Sequence, residues 1–575
     1  MKIDRKKLRR RWYLARQCFF GPLIAAGVLL LLNLGVNAAD GSEGRWLVVA
    51  REMLQTGDYW HATINFYPYP DKPLLTYWFI TFLSSVFNHH NVTEFIGRLP
   101  SVIAALGCIA LTIEFARRLF TAKIAKITGY LMATSYSVIW YGRLAEADMA
   151  NMFFIMAAVT LYVVFRSHPG FWLYLSVGLC CAVGAHAKGM AAFSVPALVI
   201  AADWLVFKRW KTHLRWSLLP AVLLSATAYL LPFLAANLSA AAETVNGLGG
   251  FALALKENIV RFVAPFDHKE PFYAYLIHMP RHLAPWSLLF IPALIGGIRD
   301  FKRQSRNMRF LMLGIGLIFL FFSLSGSKRH YYILPIVPFS LVFTAAYLGR
   351  GEGASADILF KIKRVLLFCL SCVTPLLVFG MMTMVLMLEF FPDFHPVFDE
   401  ISGLFDDAVP MSLALALAML SGAALLSGRR DRWLPTAILS IWLLSLFVYG
   451  YLMPRLSALR TDRKFLQEVR ACLREQPQCA ETLTFAGLRN VDATYYLDLP
   501  RRIPAVGVEF SAEDLIQKPQ VRWLLGEKRA FENWPTAVQG NTMVLLEEDS
   551  RSWEKNDRKQ AKKMQLRVLM PPMTD

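Results

Sequence analysis

Long apolar stretches alternate with short charged segments along most of this chain. A bilayer core about 30 Å thick is crossed by roughly 20 apolar residues in helical form, and such stretches recur from Phe19 to Met453. The apolar runs and the charges between them predict about thirteen transmembrane helices. Their expected ranges are 18–36, 101–116, 127–141, 149–166, 171–186, 190–207, 216–236, 284–298, 310–325, 331–348, 365–390, 409–427 and 433–452. The pattern therefore predicts an all-α, polytopic membrane domain over residues 1–453.

Five of the segments between these predicted helices, all on the same side of the membrane, are basic. The residues concerned are Arg117, Arg118, Lys123 and Lys126; Lys208, Arg209, Lys211 and Arg215; Arg299, Lys302, Arg303, Arg306 and Arg309; Lys361, Lys363 and Arg364; and Arg429, Arg430 and Arg432. Cytoplasmic loops carry such an excess of Lys and Arg. The first apolar run, Phe19–Val36, follows a dense basic cluster and is too long for the core of a cleaved signal peptide. We therefore expect a retained anchor and a cytoplasmic N-terminus.

The first connection and every second one after it are expected on the periplasmic side. Two of them are long, 37–100 and 237–283, and with an odd number of helices the tail 454–575 lies there as well. Within the first loop, Trp46–Leu54 is amphipathic and a second, aromatic helix begins at Pro73. This pattern predicts juxtamembrane helices that lie along the membrane surface.

The tail alternates helical and strand patterns. Helices are predicted at Lys464–Glu475 and Ala512–Gln517, and strands at Thr482–Phe485, Val521–Leu525, Met543–Leu546 and Gln565–Leu569. A small α/β domain is the expected result. It contains no phosphate-loop or dinucleotide fingerprint, so no nucleotide cofactor is expected. Cys472 and Cys479 would occupy an oxidising compartment, which predicts a disulfide between them.

The composition is that of a membrane protein, and the expected topology explains the net charge. The chain of 575 residues is 55% hydrophobic and only 18% charged, which is too apolar for an ordinary soluble protein of this length. Its net charge of +19 follows from the orientation signal and from attraction to anionic lipids of the inner leaflet. Membrane lipids are therefore expected partners, and nucleic acid is not.

Ionisable residues also gather at the predicted periplasmic ends of the helices. They are Arg98, Arg143, Glu146, Asp148, Lys188, His268, Lys269, Lys328 and Arg329. A charge near the middle of the bilayer costs about 2.5–3.5 kcal/mol, so their position at one face favours a site that opens outward. A secondary transporter or flippase would instead place charges near mid-span, in helices broken by Gly or Pro. That class and an inactive membrane scaffold are the alternatives to an enzyme.

An ordered set of short motifs carries a family resemblance. The motifs are Glu43-Gly44-Arg45-Trp46, Ala50-Arg51-Glu52-Met53, Asp71-Lys72-Pro73, Arg98-Leu99-Pro100, Ala187-Lys188-Gly189, His268-Lys269-Glu270-Pro271 and Ser327-Lys328-Arg329-His330-Tyr331-Tyr332. In this order they resemble the bacterial 4-amino-4-deoxy-L-arabinose transferases that modify lipid A. Those enzymes belong with the protein O-mannosyltransferases among the GT-C glycosyltransferases. The similarity covers roughly residues 15–350.

The resemblance implies an enzyme of the bacterial inner membrane. Its reaction is inverting transfer of a sugar from polyprenyl (undecaprenyl) phosphate to an extracytoplasmic acceptor, which is lipid A, another envelope glycan or a protein. A carboxylate must take the acceptor proton. Glu43 and Asp40 are the candidate bases, and Asp148 is a further catalytic candidate.

The departing phosphate needs cations because negative charge grows on its bridging oxygen. Candidate phosphate ligands are Lys72, Arg45, Lys328 and Arg329. The resemblance also implies a divalent metal ion, for which Asp71 and His268 offer oxygen and nitrogen ligands.

Two positions depart from the family pattern. Ser42-Glu43 stands where the family has Asp-Glu, and Asp71 stands where it has Glu. The choice between Glu43 and Asp40 as the base therefore stays open.

Overall fold

Helices dominate the computed structural model. It describes residues 5–39, 41–69, 72–87, 91–238, 270–349, 358–390, 419, 422, 433–487, 491–509, 511–517, 523–548 and 563–570. The helices up to residue 238 are α1 (Arg5–Leu31), α2 (Glu43–Thr56), α3 (Leu75–Phe87), α4 (Glu94–Leu119), α5 (Ala122–Ala133), α6 (Tyr136–Gly142), α7 (Asp148–Phe165), α8 (Phe171–Ala187), α9 (Ala191–Phe207), α10 (Trp210–His213) and α11 (Leu218–Leu238). Those that follow up to residue 460 are α12 (Ala274–Leu283), α13 (Ser287–Arg299), α14 (Arg306–Leu324), α15 (Val337–Leu348), α16 (Ile358–Phe390), α17 (Trp433–Phe447) and α18 (Met453–Arg460).

Several of these helices are suited to crossing a membrane. Within the described ranges, five are long and apolar enough: Glu94–Leu119, Asp148–Phe165, Arg306–Leu324, His330–Leu348 and Trp433–Ala458. A sixth results if α12 and α13, which meet at 120°, form one broken span. The prediction of a mostly helical, multi-pass membrane protein is confirmed. The count of thirteen stays a prediction, and its twelfth member, 409–427, is almost wholly outside the described residues.

Two helices differ in the structure from their predicted ranges. The helix predicted at 127–141 divides into α5 and α6, because the Tyr136 backbone N–H donates to the Ala284 carbonyl at 2.8 Å rather than within its own helix. The indole N–H of Trp286 donates to the Thr134 hydroxyl at 3.1 Å, beside the same break. The helix predicted from 284 begins instead at Ser287, since Pro285 lacks the backbone donor that would continue α12.

The tail forms the predicted α/β unit. Its helices are α19 (Arg463–Glu475), α20 (Pro477–Glu481), α21 (Val491–Leu497), α22 (Lys528–Glu532) and α23 (Thr536–Gly540), with a 3-10 turn at Glu513–Gln517. Its strands are β3 (Leu483–Phe485), β4 (Trp523–Glu527), β5 (Thr542–Glu547) and β6 (Met564–Leu569). They pair in the order β3-β4-β6-β5, with β3 parallel to β4 and the other pairs antiparallel. The four predicted strands are therefore confirmed.

Helix α2 of the first loop is buried under this tail. Between α2 and α3 lies a short hairpin of β1 (Thr63–Ile64) and β2 (Tyr67–Pro68). Residues of α2 and of the tail share one hydrophobic cluster, which includes Leu47, Val49, Leu466 and Tyr496. Helix α2 was predicted to lie on the membrane surface, but it is buried from Trp46 to Met53 because the tail covers it. The domain boundary at residue 454 stays a prediction.

Polar contacts also join the tail to the first loop. The Arg51 guanidinium donates to the Thr494 and Tyr495 carbonyls, each at 2.7 Å, and lies 3.0 Å from Asp498. Asn65 exchanges two hydrogen bonds with the Ile503 backbone, at 2.7 and 2.8 Å. The tail is therefore fixed to one face of the helical domain, which we call the tail-side face.

The predicted disulfide is not present. Cys472 and Cys479 are free thiols, and both pack at the edge of the shared hydrophobic cluster. The Cys479 thiol donates to the Gln476 side-chain carbonyl at 3.1 Å. The Cys479 thiol thus has a local partner in the structure, and the disulfide stays a prediction.

Candidate functional site

A cavity of about 540 Å³ opens at the tail-side ends of several helices. Its polar wall comes from the start of α2, the segment before α3, the α6–α7 connection and the segment after α8. Those residues are Ser42, Arg45, Tyr69, Lys72, Glu146, Asp148, Asn151 and Lys188. Its other wall, from α14 and the turn before α15, is aromatic and apolar and includes Phe321, Phe322, Tyr331, Tyr332, Leu334 and Pro335. The cavity therefore combines opposite charges with an apolar side.

Three of the four predicted phosphate ligands line this cavity. Arg45, on the first turn of α2, donates to the Tyr69 hydroxyl at 3.2 Å. Lys72 lies in the segment that leads into α3, and Arg329 donates to the Tyr331 hydroxyl at 2.9 Å. Chain segments far apart in sequence thus bring three cations to one cavity.

The fourth predicted phosphate ligand, Lys328, lies apart from them. Its ammonium group is buried and donates to the carbonyls of Ser325 at 2.5 Å and Glu270 at 3.3 Å. It is not among the residues that line the cavity. The structure therefore favours a structural role for Lys328, which ties residue 270 to the turn before α15.

Glu43 is likewise tied into the fold. Its carboxylate receives two hydrogen bonds from Arg98, at 2.8 and 2.7 Å, and one from the Ala145 N–H at 2.7 Å. Arg98 also donates to the carbonyls of Leu34 and Ala38. Glu43 is only 1% exposed, so both of its oxygens are occupied and no substrate has access to them. This geometry favours a structural role for Glu43 over its predicted role as the base.

Asp148 is the predicted catalytic residue that does line the cavity. It lies on the first turn of α7, where the helix dipole stabilises a negative charge, and forms an ion pair with Lys188. Lys188 also lies over the Tyr331 ring, 4.2 Å from its centre. The next residue, Gly189, has φ of 128°, which a residue with a side chain rarely adopts. The glycine thus permits the turn after Lys188.

A second carboxylate, Glu146, stands beside this pair. The sequence marked it only as a charge at a helix end, and its role in the cavity was missed. It lies in the irregular α6–α7 connection, where its backbone carbonyl accepts a hydrogen bond from Ser101 at 3.0 Å. Burial, and then the nearby Asp148 charge, raise the pKa of Glu146 to about 8. The only sequence signal was a carboxylate two residues before Asp148.

The remaining predicted site residues cannot be placed. Asp40, Asp71 and His268 lie outside the described residues. Within the part of the chain that is described, no group of three or more His, Cys, Asp or Glu side chains is arranged to hold a metal ion. The metal prediction therefore rests on the sequence.

Comparison with known proteins identifies sequences similar to this chain. A family model described as dolichyl-phosphate-mannose-protein mannosyltransferase matches residues 71–235. The chain is 27% identical over 382 residues to the undecaprenyl phosphate-alpha-4-amino-4-deoxy-L-arabinose arabinosyl transferase of Serratia proteamaculans (strain 568), covering 65% of this chain and 66% of that protein. It is 29% identical over 332 residues to the protein of the same description from Edwardsiella ictaluri (strain 93-146), covering 55% and 56%. The chain thus matches less than two thirds of the length of these relatives.

Solved structures share the fold over nearly the whole chain. The crystal structure of ArnT from Cupriavidus metallidurans bound to undecaprenyl phosphate matches with a TM-score of 0.69 and 16% identity, covering 95% of this chain and 97% of that one. An Archaeoglobus fulgidus oligosaccharyltransferase matches with a TM-score of 0.50 and 11% identity, covering 90% and 70%. The predicted GT-C architecture is therefore confirmed.

Proposed function

We propose that this chain is an inverting glycosyltransferase that takes its sugar from a polyprenyl phosphate donor. One observation carries the proposal: the cations Arg45, Lys72 and Arg329 and the carboxylates Glu146 and Asp148 line a single cavity. Displacing a sugar from a phosphate needs both groups, cations for the leaving phosphate and a carboxylate for the acceptor proton. The similarity to transferases that use undecaprenyl phosphate supports the same assignment.

The three cations bind the donor phosphate. As the bond from the sugar C1 to the phosphate oxygen breaks, its electron pair stays on the phosphate, and the cations stabilise that charge. Fixed cations in a cavity with little water act more strongly than they would in bulk solvent. The apolar wall, which includes Phe321 and Leu334, fits the first units of a lipid tail that remains in the bilayer.

The acceptor hydroxyl attacks C1 from the face opposite the phosphate. A single displacement of this kind inverts the configuration at C1. The proton of the hydroxyl passes to a carboxylate in the cavity, a contribution of about 10²–10⁴-fold in rate. The carboxylates that line the described part of the cavity are Glu146 and Asp148. Lys188, paired with Asp148, keeps the Asp148 side chain in one orientation.

The acceptor is a lipid, a glycan or a protein of the cell envelope. Mass spectrometry of envelope glycolipids and glycoproteins tests this directly, in cells with and without the protein. We expect one class of molecule to lose the mass of a hexose, pentose or amino sugar when the protein is absent. Envelope fractions that are identical in both strains would contradict the proposed function.

The tail-side face is proposed to lie in the periplasm and the N-terminus in the cytoplasm of the inner membrane. The basic segments on alternate connections support this orientation. Single cysteines placed at 57–61 or 499–502 should react with a membrane-impermeant reagent in intact cells, while cysteines at 208–215 should not. Labelling of 208–215 from outside would contradict the orientation.

A divalent metal ion bound by Asp71 and His268 is a separate proposal. A carboxylate and an imidazole are suitable ligands for several transition metals. The purified protein should retain metal that is lost in Asp71→Ala and His268→Ala, as measured by elemental mass spectrometry. A wild-type protein without bound metal would contradict it.

A further inference from the structure

The hydroxyl of Ser42 does not cap helix α2, which it precedes, but contacts a distant carboxylate. Ser42 immediately precedes α2, a position where a serine oxygen commonly accepts a hydrogen bond from a backbone N–H of the first turn. Here the side chain makes no such bond. The hydroxyl instead donates to Glu146 Oε1, across a separation of 104 residues. The contact joins the start of α2 to the α6–α7 connection inside the cavity.

Charged and titratable groups surround Glu146 from every neighbouring element. They are Glu43 and Arg45 of α2, Asp148 of α7, Lys188 after α8, Tyr141 of α6 and Tyr331 before α15. Asp148 is already paired with Lys188, and Glu43 is enclosed by Arg98. Glu146 accepts a hydrogen bond from the neutral hydroxyl of Ser42, whereas Asp148 and Glu43 are each paired with a cation. Glu146 is therefore the group best able to exchange a proton.

We infer that Glu146 is the catalytic base of the proposed transfer, and that Ser42 is the positioning residue that orients its carboxylate. This inference rests on the proposed function, because it assigns the proton acceptor in that same cavity. The sequence had assigned the role to Glu43 or Asp40. The structure encloses Glu43 in an ion pair and places Glu146 in the same cavity as the cations.

The step balances without any further reactant. The acceptor oxygen forms a bond to the sugar C1 while its proton moves to Glu146, and the bond from C1 to the phosphate oxygen breaks. The electron pair of that bond leaves on the polyprenyl phosphate. Glu146 ends as a neutral carboxylic acid and returns its proton to water before the next turnover. Because the base must start ionised, transfer depends on pH.

The test uses the purified full-length protein in lipid nanodiscs with a polyprenyl phosphate sugar and the acceptor found by mass spectrometry. Glu146→Gln keeps the shape and can still accept the hydrogen bond from Ser42. We expect it to lower kcat by about 10²–10⁴-fold with little change in the affinity for undecaprenyl phosphate alone. Wild-type transfer should rise with pH through a midpoint near 8, and the residual activity of the variant should lack that step.

A second variant tests the position of the carboxylate. The double variant Ser42→Asp, Glu146→Gln moves the carboxylate from position 146 to position 42, on the other side of the same contact. Asp is also a favoured residue at the N-cap of a helix, so α2 should be preserved. The double variant should recover at least tenfold over Glu146→Gln, whereas a purely structural role for Glu146 predicts no recovery.

The possible outcomes separate the two claims. Wild-type activity together with near-wild-type kcat in Glu146→Gln would overturn the assignment of Glu146 and leave the proposed function standing. Loss of activity accompanied by loss of undecaprenyl phosphate binding would assign Glu146 to donor binding and would also overturn its role as base. Absence of transfer by the wild-type protein with every envelope acceptor fraction would overturn the proposed function, and the assignment with it.

Discussion

Two glutamates on the tail-side face show how differently a fold can use the same side chain. Glu43 accepts two hydrogen bonds from Arg98 and one from the Ala145 backbone, so its charge is fully compensated. Glu146 accepts a hydrogen bond from the Ser42 hydroxyl and lies near a second carboxylate, and its pKa is raised to about 8. A carboxylate whose negative charge is fully balanced by a cation and hydrogen-bond donors serves to hold the fold together. A carboxylate whose charge is only partly balanced has a raised pKa and is available for proton transfer.

The largest expected effect is on the structural side of this comparison. Arg98→Ala leaves the Glu43 charge buried without its cation, and breaking a buried pair in this way typically costs about 3–5 kcal/mol. We expect little monodisperse protein after solubilisation, measured by size-exclusion chromatography. The variant that also carries Glu43→Gln should recover part of the yield, because the uncompensated charge is gone. A stable Arg98→Ala single variant would show that the pair is not structural.

A smaller loss of stability is expected where the tail meets α2. Arg51→Ala removes the donor for the Thr494 and Tyr495 carbonyls and a partner of Asp498. A hydrogen bond from a charged group contributes about 1.5–3 kcal/mol, and Asp498 keeps Arg470 as a partner, so the tail should become sensitive to limited proteolysis. Arg470→Ala is the matched control, because this half-exposed residue contacts the same Asp498 and should cost under about 1 kcal/mol. Equal protease resistance in Arg51→Ala and wild type would contradict this role.

The pH dependence of stability distinguishes the two glutamates independently of activity. An unfolded glutamate has a pKa near 4.3, whereas that of Glu146 is raised to about 8 in the folded protein. The folded state therefore holds this proton more tightly, and its contribution to stability falls as the pH rises from about 4.3 to 8. The melting temperature of Glu146→Gln minus that of wild type should therefore be larger at pH 8.5 than at pH 5. An equal difference at both pH values would contradict the raised pKa.

The smallest effect is expected from the two tail cysteines. A disulfide that closes a short loop typically contributes about 2–4 kcal/mol, but Cys472 and Cys479 are free thiols in the structure. A reducing agent should therefore leave the melting temperature unchanged, and both thiols should be alkylated without prior reduction. Recovery of a linked peptide under non-reducing conditions would restore the original prediction.

Much of the fold followed from the sequence because its signals are local. Apolar runs long enough to cross a bilayer gave the ranges of α7, α14 and α17 closely, and alternating apolar residues gave the four strands of the tail. The break between α5 and α6 was missed because its cause is remote: the Ala284 carbonyl, nearly 150 residues away, takes the backbone hydrogen of Tyr136.

The site was harder to predict because its chemistry depends on partners far away in the chain. The motif around Glu43 indicated that this residue lies near the cations. It could not show that the Arg98 side chain encloses the Glu43 carboxylate. In the same way, Lys328 and Arg329 are neighbours in sequence, yet one is buried among carbonyls and the other lines the cavity. Likewise, the Ser42 hydroxyl that contacts Glu146 lies 104 residues away in the chain.

The most direct measurement of the central claim is sugar transfer by Lys72→Ala. Lys72 lines the cavity with Arg45 and Arg329, and loss of one cation that stabilises the departing phosphate should cost about 3 kcal/mol, roughly a hundredfold in rate. Lys464→Ala on α19, whose side chain is 76% exposed, is the matched control and should stay within about twofold of wild type. A hundredfold loss in Lys72→Ala alone, at equal amounts of folded protein, is the predicted result. Near-wild-type transfer by Lys72→Ala would contradict the proposed donor site.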